Sequence, residues 1–111
     1  ALNYGKGYDN CFMINDYEAG QLQEAAELYS KQSGRELKVY TTQPGIQVYT
    51  GNWLEGCPAG KRGRIYHDYC GVALECQHFP DSPNQPEYPS AVLKPGKVFH
   101  EAIIFAFGVK K

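Results

Sequence analysis

No run in these 111 residues approaches the roughly 20 consecutive apolar positions that a membrane-spanning helix needs, so no such span is expected. A field of positive charge is missing as well. Eleven Lys and Arg stand against 12 Asp and Glu, which leaves nothing to neutralise a phosphate backbone and argues against nucleic acid as a partner. Cysteine is sparse, at four residues with no C-x-x-C pair, short of the density of a disulfide-stapled scaffold. Asn3, Asn10, Asn15, Asn52 and Asn84 all lack Ser or Thr two places on, so no glycosylation sequon exists. No leader pattern precedes the first motif, and there is no repeat, low-complexity tract or charge block. What is present is 42% apolar residues over the length of one ordinary domain, which points to a folded chain read as a single segment over 1–111.

The 12 Gly and 7 Pro fall between short apolar runs, the punctuation of a β-rich chain. In Arg35 to Thr42, Leu37, Val39 and Thr41 alternate with Lys38, Tyr40 and Thr42, which predicts a half-buried strand. Gln43-Pro44-Gly45-Ile46 follows with the residue order of a type II turn, Gly45 taking the positive φ, and a further strand is expected from about Ile46 to Asn52. Cys70 to His78 and Val98 to Val109 read as buried strands. Between them, four prolines in Phe79 to Pro89 predict an extended surface loop. One stretch points elsewhere: Leu22, Ala25, Ala26 and Tyr29 sit at i, i+3, i+4 and i+7 among good helix formers, so the local pattern favours a helix. The competing reading is a strand that turns back at Ser33-Gly34.

The most specific signals are strings: Gly7-Tyr8-Asp9, Ser33-Gly34-Arg35, Thr41-Thr42-Gln43-Pro44-Gly45 with Gln47, Tyr49-Thr50-Gly51-Asn52, Leu74-Glu75-Cys76-Gln77, and Pro80-Asp81 with Asn84-Gln85-Pro86. Together they resemble the aldose 1-epimerases, from about Tyr4 to Phe107. The resemblance implies an all-β fold, the C-terminal part of a galactose-mutarotase-like β super-sandwich, and makes Leu22 to Tyr29 a strand. It extends over about the C-terminal third of a family protein. The substrate-gripping Arg and two His of the family site lie upstream of that third. It therefore also implies that a second polypeptide, or an N-terminal portion, completes the fold.

The resemblance makes Glu75 the general base and Asp9 and Gln47 contacts to a monosaccharide such as galactose or glucose. The implied reaction is mutarotation. A base removes the anomeric hydroxyl proton, an acid protonates the ring oxygen, and the open aldehyde recloses on its other face, with no metal or other cofactor. Asp9 is an acceptor facing hydroxyl donors, and the Gln47 amide can both donate and accept. Two departures bear on substrate and activity: Asn10-Cys11-Phe12 stands where the family has His-Asn-Phe, and Cys76 follows the base where Thr is usual. The alternative is a non-enzymatic carbohydrate-binding module on the same fold, and a third reading is an interaction protein that reuses the sheet.

His67, His78 and His100 fall on none of the family's catalytic positions. Cys70, Cys76 and His78 lack the tight spacing of a zinc site. The four cysteines allow three complete pairings, or free thiols. Trp53 and Tyr49 are candidates to stack on a sugar ring. The resemblance favours the cytoplasm as location, while the cysteines leave secretion open.

Overall fold

A computed structural model describes residues 5–111. The ordered elements are β1 (Asp9–Met13), β2 (Gln23–Tyr29), β3 (Arg35–Thr41), β4 (Gly45–Tyr49), β5 (Ala73–Gln77) and β6 (Ile103–Val109), with single 3-10 turns at Lys61–Gly63 and Ser82–Asn84. Among the described residues there is no α-helix, so the chain is all-β. The strands form two three-stranded sheets, ordered β1-β4-β5 and β2-β3-β6. Two compact units result: one takes residues up to Phe12 with Gln47–Glu75, the other Met13–Ile46 with Cys76–Lys111.

In the larger unit β3 is central, and both neighbours run antiparallel to it. Leu28, Leu37 and Phe107 stand in register across the three strands, as do Ala26, Val39 and Phe105. Such cross-strand apolar pairs are the units that stabilise a sheet. The helical expectation for Leu22 to Tyr29 gives way to β2, and the register shows why: a bulge between Glu24 and Ala26 adds one residue to the strand. The extra residue moves the apolar positions out of strict alternation and into a three-residue step that imitates a helix. Gly34 makes the β2–β3 turn with φ +72, its amide donating to the Ser30 carbonyl (2.8 Å), while Ser30 donates to Arg35 (2.9 Å). A Cβ at Gly34 would lie 2.8 Å from the Lys110 carbonyl oxygen, so the turn needs glycine for its dihedral and for the close approach. At the same end the Lys110 ammonium pairs with Glu27 and, at 3.2 Å, with Glu36, and lies 4.9 Å over the Tyr29 ring.

Other expectations change in detail. The type II turn at Gly45 is absent: Gly45 has no positive φ and opens β4 as extended backbone, after a bend at Thr42 to Pro44. What bends the chain there is threonine. Thr41 Oγ1 accepts the Gln43 amide (3.0 Å) and donates to the Ala102 carbonyl (3.0 Å), while Thr42 Oγ1 accepts the Ala102 amide (2.9 Å). The proline-rich segment is folded on itself, not extended. Asp81, at φ 63, leads the turn at Ser82–Asn84, and its carboxylate accepts from the side-chain amides of Asn84 and Gln85.

The largest correction concerns burial. Val98 to Val109 contains a strand only from Ile103, and every residue of β6 is exposed, Phe107 at 80%. Among the described residues the buried hydrophobic side chains are Val39 and Ile46. The loss of solvent contact that normally drives folding, about 25 cal/mol per Å² of apolar surface, is thus largely unrealised within these residues. All four cysteines are free.

Candidate active site

The smaller unit holds Asp9 on β1, Gln47 on β4 and Glu75 on β5. Because the sheet is ordered β1-β4-β5, Gln47 occupies the central strand, with a carboxylate on the strand to either side. Gln47 Nε2 donates to Asp9 Oδ1 at 2.9 Å, which fixes both side chains on one face. Tyr49 and Ala73 line one hollow of about 240 Å³, and each lies two residues along its strand from Gln47 and Glu75 respectively. Glu75 stands on the adjoining strand, and no hydrogen bond among the described residues links it to Gln47 or Asp9. Asp9 and Glu75 are exposed and Gln47 half-buried. Gln47 Oε1 is shielded from solvent and has no hydrogen-bond partner among the described residues. An enclosed acceptor left unpaired costs about 1–3 kcal/mol, and in native structures such groups commonly mark a place where a ligand or water binds.

The backbone leading into Asp9 is clamped by residues whose motif was visible but whose task was not. Asn52, 1% exposed, donates from Nδ2 to the Tyr8 carbonyl (3.0 Å) and accepts the Thr50 hydroxyl on Oδ1 (2.6 Å). Thr50 Oγ1 in turn accepts the Tyr8 amide (2.9 Å), and the Thr50 amide donates to the Tyr8 carbonyl (3.1 Å). This clamp leaves no room above Gly7, where a Cβ would fall 2.0 Å from Asn52 Oδ1. Gly7-Tyr8-Asp9 and Thr50-Gly51-Asn52 are thus two halves of one joint. In the sequence these are two separate strings, and only the fold brings Gly7-Tyr8 against half-buried Thr50 and buried Asn52.

Tyr49 and Trp53 are also tied together, the Trp53 amide donating to the Tyr49 hydroxyl oxygen at 3.1 Å. Lys6 Nζ lies 3.9 Å over the Trp53 ring and pairs with Asp68 at 2.6 Å, so one face of the indole is already covered by a cation. The Lys6 ammonium, helped by the Glu55 amide, holds the Asp68 carboxyl below the usual range. His67 pairs through Nδ1 with the Glu55 carboxylate at 3.0 Å, at an exposed position. Burial pushes the Cys11 and Cys76 thiols up, and a hydroxyl contact from Thr41 only partly offsets this at Cys76. The chemistry this face offers is that of carboxylate and amide oxygens, suited to hydroxyl donors.

The family model described as aldose 1-epimerase matches residues 1–106, and the chain belongs to that family. It is 44% identical over 103 residues to the galactose mutarotase of Mus musculus and 41% identical over 103 residues to that of Homo sapiens, in each case 93% of this chain. It is 41% identical over 105 residues, 92% of this chain, to the aldose 1-epimerase of Escherichia coli (strain K12). The chain spans about 30% of the length of each of these relatives.

Proposed function

We propose that these residues supply the base-bearing wall of an aldose 1-epimerase site for a hexose such as galactose or glucose. Residues outside the 111, from an N-terminal portion or a partner chain, complete it. In this reading the Glu75 carboxylate takes the proton from the anomeric hydroxyl. As the bond between C1 and the ring oxygen breaks, an acid supplied from the opposite wall protonates that oxygen. Rotation about the bond from C1 to C2 and the reverse proton transfers close the ring to the other anomer, so base and acid are both regenerated. Asp9 accepts hydrogen bonds from sugar hydroxyls. Gln47 orients Asp9 through Nε2, and its side-chain amide contributes the polar contact to the sugar.

The observation that carries the reading is the hydrogen bond from Gln47, on the strand next to that of Glu75, to Asp9 on the strand beyond, in a chain of this family. The need for a complement is supported by the exposed apolar β6 and by the share of each relative's length that this chain spans. Polarimetry tests it: the chain, co-expressed with the rest of the mouse relative's sequence, should accelerate the equilibration of α-galactose. Glu75→Gln should lower the rate by about 10²- to 10⁴-fold, the range a positioned general base contributes. The departures at Asn10-Cys11 and Cys76 favour a second reading, a carbohydrate-binding module. Galactose binding by the assembled protein without acceleration would establish that reading and overturn the first.

A further inference from the structure

Two long side chains of the smaller unit, Lys6 and Tyr69, sit on backbone in the left-handed region, at φ 61 and 65. For residues other than glycine this conformation costs free energy, and it persists only where the surroundings over-determine it, commonly beside functional sites. The two residues are joined to each other. The Tyr69 hydroxyl donates to the Lys6 carbonyl oxygen, and the carboxylate of the preceding residue, Asp68, takes the Lys6 ammonium at 2.6 Å. Consecutive residues thus grip Lys6 by its backbone and by its side chain. The grip is itself anchored, because the Tyr69 amide donates to the Gly51 carbonyl at 2.8 Å and Asp68 Oδ1 accepts the Glu55 amide at 2.9 Å. Tyr69 therefore touches both halves of the joint, Lys6 ahead of Gly7-Tyr8 and Gly51 between Thr50 and Asn52. After Lys6 come Gly7 and the clamped Tyr8, and then Asp9, whose carboxylate meets Gln47. Tyr69 is 55% exposed, so the packing of a core does not account for where its hydroxyl lies.

We infer that Tyr69 is a positioning residue for Asp9: with Asp68 it holds Lys6 in the left-handed conformation from which the chain enters β1, and so fixes where the Asp9 carboxylate stands. The inference rests on the proposed function for what Asp9 does to a sugar, while the placing of Asp9 is readable without one. Tyr69→Phe keeps the ring and removes only the hydroxyl. In the assembled protein it should raise KM for α-galactose about fivefold, the weight of one net hydrogen bond, and leave kcat unchanged, because Glu75 is carried by β5 and not by the chain that follows Lys6. Asp68→Asn, which weakens the hold on the ammonium, should move KM in the same direction. In an Asp9→Ala background Tyr69→Phe should have no further effect on KM, since its influence passes through the missing carboxylate. Without sugar, the Gln47 side-chain amide signals in NMR, which report the hydrogen bond to Asp9, should shift in Tyr69→Phe. KM and Gln47 signals that stay where they are, whatever happens to the urea midpoint, would reduce Tyr69 to a structural contact and overturn the inference. A rise in KM that persists undiminished in Asp9→Ala would overturn it as well. A rate that survives Glu75→Gln, or an assembled protein with no rate at all, defeats the base reading alone, and the Gln47 signals then decide whether Tyr69 places Asp9.

Discussion

Asn52 is the residue on which the geometry of the candidate site turns, although no acid or base chemistry belongs to it. It is buried, it satisfies the Tyr8 carbonyl, and it orders the Thr50 hydroxyl that holds the Tyr8 amide. Asn52→Ala should destabilise the protein by about 1–3 kcal/mol, the cost of leaving buried polar groups unpaired, measured by urea unfolding. Gly7→Ala should do at least as much harm by steric overlap, and with substrate present should raise KM more than it lowers kcat, because it displaces Asp9 and not Glu75. An unchanged KM would separate Gly7 from Asp9 positioning. The residue types at the site were legible because they sit in long, specific strings: Glu75 in Leu74-Glu75-Cys76-Gln77, Gln47 beside Pro44-Gly45, Asp9 after Gly7-Tyr8. The clamp was not, because the hydrogen bonds that tie Thr50 and Asn52 to Tyr8 span 42 and 44 residues, and spacing along the chain carries no information about such pairs.

At the level of elements, β2 shows where local pattern and sheet disagree. Helix-forming residues at helical spacing occupy a strand because a bulge resets the alternation, and because Leu28 and Ala26 gain cross-strand partners in Leu37 and Val39. β3, with regular alternation and no bulge, was readable directly, to within one residue at its end. The β2-β3-β6 sheet also has an electrostatic fastening that the sequence hid: Lys110 stands 83 residues from Glu27 yet pairs with it. Hydrogen bonding to Lys110 lowers the Glu27 carboxyl below its ordinary range, and pairing with Glu27 and then Glu36 raises the Lys110 ammonium above its own. The lowered carboxyl contributes stability that is present above its unfolded-state value and is lost as pH falls through the folded one. The raised ammonium contributes stability present below its unfolded-state value and lost as pH rises through the folded one. The fastening is therefore complete from mildly acidic to mildly alkaline pH and opens on both sides. Lys110→Gln should raise the Glu27 titration midpoint seen by carbon NMR, and added salt should have a similar, smaller effect in the wild type. A midpoint unmoved by Lys110→Gln would contradict the pairing.

Across the whole molecule, the imbalance between apolar content and apolar burial is the dominant fact. Ile103, Ile104, Phe105, Phe107 and Val109 are all exposed on one edge strand, an arrangement that soluble proteins avoid because unpaired edges and apolar patches associate. Composition predicted these residues to be buried. The error is physical, since a run of Ile, Phe and Val reports that a surface requires cover without reporting whether these 111 residues supply it. The chain by itself should self-associate as its concentration rises in sedimentation experiments, and Phe107→Lys should reduce that association with the strand content by circular dichroism unchanged. The central claim, that Glu75 acts as a base on the anomeric hydroxyl from one wall of a site completed elsewhere, is tested most directly by exchange NMR on galactose labelled with carbon-13 at C1. With the assembled protein, exchange between the α and β signals should exceed the buffer rate. With Glu75→Gln it should fall to near that rate while galactose still binds. Exchange that survives intact in Glu75→Gln would contradict the account.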